Sequence, residues 1–181
     1  MSTLTAGGPD LRYPVGRFES LDLITAAHRA EWLNDLEALP GKLTEAVAGL
    51  DDQQLDTPYR PGGWTVRQVV HHYADSHANS YVRFRLALTE DKPVIKPYDE
   101  QRWAELPDAK SAPVGPSLSL LSALHQRWVF LLHTLDDQAF ARTFVHPELG
   151  EMRLDKTLGL YAWHCHHHVA HITHLRARLG W

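Results

Sequence analysis

One cysteine, Cys165, stands among 181 residues, so the chain can form no internal disulfide, and such sparse cysteine usage fits a reducing compartment. Long apolar runs are missing too: none approaches the roughly 18 to 20 residues that span a bilayer. The opening MSTLTAGGPDLRYPVGRFES has neither the basic stretch nor the apolar core of a secretory leader. Excess positive charge is absent, since the formal net charge is −4 with histidine neutral. General attraction to nucleic acid or to an anionic membrane is therefore not expected. Gly-rich phosphate loops, a G-x-S-x-G elbow and nucleic-acid motifs are absent as well. These absences leave a cytoplasmic globular protein with neither a nucleic-acid nor a membrane partner as the expectation. What the chain has in excess is histidine, 13 residues, and tryptophan, 6 residues.

The length suits one domain with a real core, and residues 1–181 read as a single unit with an irregular arm over 1–20. A helical pattern runs from about Ser20 to Leu50, with Pro40-Gly41 expected to kink or interrupt it. DDQQLDTPYRPGG is a turn region, and a second long helix follows from Thr65 to about Thr89. The next segment, EDKPVIKPYDEQRWAELPDAKSAPVGPS, holds five prolines and is too long for a tight connection. A third helix is expected from Ser117 to Leu135, and a fourth from Asp155 to Leu179, ahead of Gly180. Between them, FARTFVHPELGEMRL is compatible with a short hairpin. The fold class is all-α: a four-helix bundle with a long crossover between the second and third helices.

The fourth helix contains YAWHCHHHVAHIT, with five histidines in thirteen residues. Side chains four apart share a helix face, a condition met by His164 with His168 and by His167 with His171. Such an H-x-x-x-H pair can offer two imidazoles to one metal ion. At about 100° per residue, the face centred on His164 also carries Thr157, Leu160, Tyr161, His168, His171 and Leu175. That face suits a bundle interior and favours His164 and His168, with His171 as an inward neighbour. His167 falls at the margin and His166 nearly opposite. Further ligands must come from elsewhere, and His71-His72 on the second helix is the donor in view. The line through His72 holds Gln68, Asp75, Ser76, Asn79 and Arg83 and fits either a solvated face or a polar cavity wall. Isolated histidines such as His28, His125, His133 and His146 read as surface or hydrogen-bonded residues. The tryptophans read as core or cleft walls, and Cys165 as a packing residue.

Two segments carry a likeness. YRPGGWTVRQVVHHYADSHANSYVRFRLALTED, continuing into KPVIKPYDEQRWAEL, strongly resembles the YfiT-like branch of the DinB superfamily, and YAWHCHHHVAHI resembles its C-terminal metal motif. YPVGRF and LPGKLTEAVAGLDDQQLDTPYRPGGW fit as well, so the likeness covers nearly the whole chain. The resemblance implies a DinB-like four-helix bundle in which one histidine of the second helix and an H-x-x-x-H pair of the last helix hold a metal. The second-helix ligand follows the motif tryptophan by eight positions, which from Trp64 is His72. The pair falls on His164 and His168. His171 stands where many relatives carry glutamine.

Relatives in this branch are described as metal-dependent hydrolases, and several members of the superfamily use low-molecular-weight thiols. The implied function is a divalent-metal enzyme, with one Zn²⁺ or another ion such as Ni²⁺ per chain, that transfers a bacillithiol-type thiol to electrophilic small molecules. In that reading Asn79 and Arg83 line the pocket and Asp75 orients a ligand imidazole. Tyr161 and His171 are pocket-side candidates for proton transfer. Relatives also imply a homodimer. A hydrolase of amide or ester bonds is the alternative, although Cys165 stands where H-E-x-x-H would place its general base. A non-catalytic bundle that binds a metal or small ligand is the other.

Overall fold

A computed structural model describes residues 10–181; of the expected 1–20 arm, residues 1–9 lie outside that range. The arm from Asp10 onward has turns but no helix or strand before residue 26. Four long helices follow: α1 (Ala26–Val47), α3 (Val66–Thr89), α6 (Gly115–His133) and α8 (Leu154–Leu179). Single turns of helix, α2 (Asp52–Leu55), α4 (Glu100–Ala104), α5 (Pro107–Ser111) and α7 (Asp137–Phe140), punctuate the connections. α1 packs on α6 and α8, and α3 packs on the same two, so α1 and α3 stand diagonally across the bundle.

Local chemistry sets the helix starts. Thr25 opens α1 and Thr65 opens α3, each with a capping box completed by His28 and Gln68 respectively. α1 begins six residues later than Ser20 because the N-cap lies at Thr25. It also runs through Pro40 without the expected interruption. A proline removes one helical N–H, which frees the carbonyl of Leu36 four residues earlier. That carbonyl is taken by His125 Nδ1 of α6 at 2.7 Å.

The core follows from the inward faces. Leu36, Leu39 and Leu43 of α1 meet Tyr73 and Phe84 of α3, Trp128 of α6 and Leu158 and Ile172 of α8, all essentially fully buried. A hairpin of β1 (Thr143–His146) and β2 (Gly150–Arg153) pairs Thr143 with Arg153 and turns at Gly150, whose φ is 76°.

The crossover between α3 and α6 is anchored, not loose. Ile95 N–H donates to the Val145 carbonyl and Val145 N–H to the Pro93 carbonyl, laying the segment on the hairpin edge. Buried Gln68 donates to the Ala104 carbonyl at 2.7 Å, and Arg67 reaches the Ala112 carbonyl while pairing with Asp52 and Asp56. These ties hold the crossover over one end of α3 and α8, where it walls a cleft. No helix among the described residues is long and apolar enough to cross a membrane.

Candidate metal centre

α3 and α8 bring His72, His164 and His168 together, with one ring nitrogen of each within 4.8 Å of the others. The Nε2 atoms of His72 and His164 are 3.2 Å apart. Two metal–nitrogen bonds of about 2.0–2.1 Å meeting at a tetrahedral angle span about 3.3 Å, so this pair fits one zinc-type ion. The turn of α8 that carries the pair is fixed by Tyr73 of α3. Its hydroxyl donates toward the carbonyls of Cys165 (2.7 Å) and His164 (3.1 Å) and accepts the Val169 N–H at 3.0 Å.

Burial keeps these imidazoles neutral. It lowers the pKa of His72 to about 4 and drives His164 and His168 well below the usual histidine range, with neighbouring imidazoles adding to the effect in the last two. Neutral imidazole is the form that ligates a metal, so the cluster is ready at neutral pH.

The three histidines open onto a cleft of about 780 Å³ walled by Trp64, Tyr98, Tyr161 and Trp163. A smaller lobe of about 190 Å³ adjoins it across Trp64, His167 and His168, and Arg12 and Arg60 line that lobe. Trp64 stacks on His168 and tilts against His72, while Trp163 stacks on His167. The sixth residue of the histidine run, His166, faces outward and pairs with Asp35.

The other sequence candidates divide. Arg83 lines the cleft, and Tyr161 lines it with its hydroxyl donating to the Ser76 carbonyl at 3.1 Å. Asn79 does not line it: its amide turns back onto the Asp75 carbonyl at 2.9 Å. Asn79 is seven residues beyond His72, about 10 Å along the axis, too far for a short side chain to return. Arg83 lines the cleft together with His146 and Glu148 of the hairpin. Asp75 makes no hydrogen bond to a ligand imidazole among the described residues, so the expected orienting role is not realised. It is half-buried, and burial with Asp108 nearby raises its pKa to about 6. His171 is buried, as an inward neighbour should be, with Nδ1 3.1 Å from His168 Nδ1. His167, expected at the margin of the face, is buried and joins His168 and His171 in a second histidine group, with its Nδ1 unpartnered among the described residues. His71 points away, bonded to Ser117 Oγ and the Ala112 carbonyl.

Sequence reasoning missed His77. It is fully buried, with Nε2 3.1 Å from His164 Nδ1 and Nδ1 2.8 Å from His125 Nε2. The signal was present: Tyr73, His77, Ser80 and Phe84 recur at helical spacing on the inward face of α3.

Comparison with known proteins agrees with this architecture. A protein of Bacillus cereus strain 03BB102 named "Putative metal-dependent hydrolase" is 58% identical over 172 residues, covering 95% of this chain and 99% of the relative. A Bacillus mycoides protein of the same description is 57% identical over the same span of 172 residues. YfiT from Bacillus subtilis, described as "a probable metal-dependent hydrolase with an unusual four-helix bundle topology", superposes with a TM-score of 0.92 at 55% identity, over 94% of this chain and 98% of that one. The four-helix bundle protein TT2238 superposes more distantly, with a TM-score of 0.52 at 25% identity over 82% of this chain. Residues 35–172 match the family model of the DinB superfamily, and the chain belongs to that superfamily.

Proposed function

We propose that this chain is a divalent-metal-dependent enzyme whose metal is held by His72, His164 and His168 and which transfers a low-molecular-weight thiol of the bacillithiol type to electrophilic small molecules. The observation that carries the metal reading is the cluster of three neutral imidazoles, two buried and one half-buried, at the wall of a 780 Å³ cleft. Three protein donors leave a position for an exchangeable ligand, as in catalytic zinc sites, whereas structural sites close with four. Zn²⁺ is the ion proposed, one per chain, with Ni²⁺ able to use the same imidazoles.

A metal bound there supplies Lewis acidity that holds a thiol sulfur as thiolate, its nucleophilic form. The chain's own residues do the rest. Trp64, Tyr98 and Trp163 enclose the electrophile and limit the water around it. Arg83 offers a guanidinium to a carboxylate of the thiol. Tyr161, held by Ser76, presents a hydroxyl beside the reacting groups. The groups hydrogen-bonded to the ligand imidazoles are themselves neutral histidines, His77 and His171. That surrounding favours a nucleophile that needs no separate general base.

Hydrolysis is the second reading. It is favoured by the descriptions of the relatives and by Glu100 and Glu148, carboxylates that line the same cleft. The test is metal-loaded protein incubated with bacillithiol, cysteine or glutathione and a bimane or chlorinated electrophile. Metal-dependent thiol consumption that disappears in His72→Ala supports transfer. Ester or amide turnover without thiol loss supports hydrolysis, and inactivity throughout overturns both in favour of a binding bundle.

A further inference from the structure

Two chains of hydrogen bonds lead away from His164 and His168, and each ends on a backbone carbonyl. The first runs from His164 Nδ1 to His77 Nε2 (3.1 Å), from His77 Nδ1 to His125 Nε2 (2.8 Å), and from His125 Nδ1 to the Leu36 carbonyl (2.7 Å). The second runs from His168 Nδ1 to His171 Nδ1 (3.1 Å) and from His171 Nε2 to the Arg12 carbonyl (3.1 Å).

The carbonyls fix the direction of both chains. A carbonyl oxygen only accepts, so the ring nitrogen facing it carries a proton. A neutral imidazole has one N–H, so its other nitrogen accepts. His125 therefore donates from Nδ1 and accepts at Nε2 from His77 Nδ1–H. His77 then accepts at Nε2 from His164 Nδ1–H, which leaves the lone pair of His164 on Nε2. In the second chain His171 donates from Nε2 and accepts at Nδ1 from His168 Nδ1–H. The lone pair of His168 is left on Nε2 too. His77, His125 and His171 are all buried, which disfavours the charged form and keeps each ring neutral.

We infer that His77, His125 and His171 are positioning residues that lock His164 and His168 as Nδ1–H tautomers, so that both Nε2 lone pairs face a single metal ion before it binds. This inference rests on the metal-site reading above and adds to it how the site is made ready. The terminal acceptor of the first chain has its own origin in the sequence. Leu36 offers an unclaimed carbonyl because Pro40 lacks the N–H that would bond to it, so a proline inside α1 serves a histidine of α6. The second chain ends on the N-terminal arm, which ties Arg12 to the far side of the site. The lock also explains why the second histidine group, His167 with His168 and His171, is not a separate metal site. The Nδ1 of His168 is already donated to His171, and both ring nitrogens of His171 are in use.

Two measurements test this on the full-length chain. In metal-free ¹⁵N-labelled protein at pH 7.5, two-bond ¹H–¹⁵N correlations report which nitrogen of each histidine is protonated, with His164→Ala and His168→Ala assigning the signals. Protonation at Nδ1 of both supports the lock; an Nε2–H tautomer at either overturns it for that chain. The second measurement is Zn²⁺ affinity by competition with a chromophoric chelator. His77→Leu and His171→Leu should weaken binding by about 10- to 100-fold, the range for partners that orient a ligand from behind. His77→Gln and His171→Gln, whose amides can both accept and donate, should recover most of the loss. His71→Gln removes another buried histidine, outside both chains, and should leave affinity unchanged. Undiminished affinity in folded His77→Leu and His171→Leu overturns the inference. Should the leucine variants fail to fold, the tautomer spectra of the wild type decide. If the wild type binds no metal, the proposed function fails while those spectra still report on the two chains.

Discussion

At the scale of single residues, His72 is the only candidate ligand contributed by α3, and the other two come from α8. Its removal leaves two donors and an open wall. His72→Ala should lower Zn²⁺ affinity by more than about 100-fold, beyond the loss expected for an orienting partner, with little change in helix content; chelator competition and circular dichroism check both. Arg83→Met should raise the KM for a carboxylate-bearing thiol by about tenfold, one charge-assisted contact's worth, and leave the KM of an uncharged thiol alone. Equal effects on both thiols would remove Arg83 from substrate recognition. The pair His164 and His168 was legible because a four-residue spacing on a long helix has one geometric meaning. The inward position of His77 was legible from its spacing with Tyr73, Ser80 and Phe84, but its link to His164 was not, since an imidazole at a core position carries no motif and only packing shows what it touches. Asn79 and Arg83 share a line on α3 in projection, but Arg83 lines the cleft while the Asn79 amide bonds back to its own helix.

Among the elements, α3 depends on the Thr65 cap, whose side chain accepts the Gln68 N–H at 3.1 Å while Gln68 returns a bond to the Thr65 N–H. Thr65→Ala should cost about 1 kcal/mol, read as a shift in the urea midpoint. α8 meets α1 closely at Gly159, where an added Cβ would lie 3.0 Å from the Trp32 ring. Gly159→Val should destabilise by about 1–3 kcal/mol through overpacking, and an unchanged midpoint would show that Trp32 moves aside freely. Long periodic stretches announced the four main helices within a few residues. Pro40 was the exception: local rules made it a breaker, but a helix already held on both sides by α6 and α8 continues through it, and His125 occupies the freed carbonyl. The short helices of the crossover left no periodic signal, because four or five residues are too few to show one.

For the molecule as a whole, the buried neutral histidines link folding to pH. The pKa values of His72, His125 and His171 fall to about 4 and that of His167 to about 3, all below the value near 6.5 expected for an unfolded chain. Between those limits the unfolded chain binds protons that the folded chain refuses. Stability is therefore full above pH 6.5 and is lost as pH falls toward 4. Asp75, raised to about 6, acts in the opposite sense but is one group against several. Metal-free protein should show a lower urea midpoint at pH 5 than at pH 7.5. An equal midpoint would mean that the histidines are solvated. The bundle and its long crossover were readable from helix count and proline content; the cleft was not, because it is made by the crossover folding back on the hairpin and α3, contacts distant in sequence.

The most direct test of the metal centre is the metal content of purified protein after exposure to Zn²⁺ and removal of the excess, measured by inductively coupled plasma mass spectrometry for the wild type and for His164→Ala. One ion per chain in the wild type and a small fraction of that in His164→Ala is the result expected from a site built on His72, His164 and His168. A wild type that retains no metal, or a His164→Ala variant that retains as much, would contradict it.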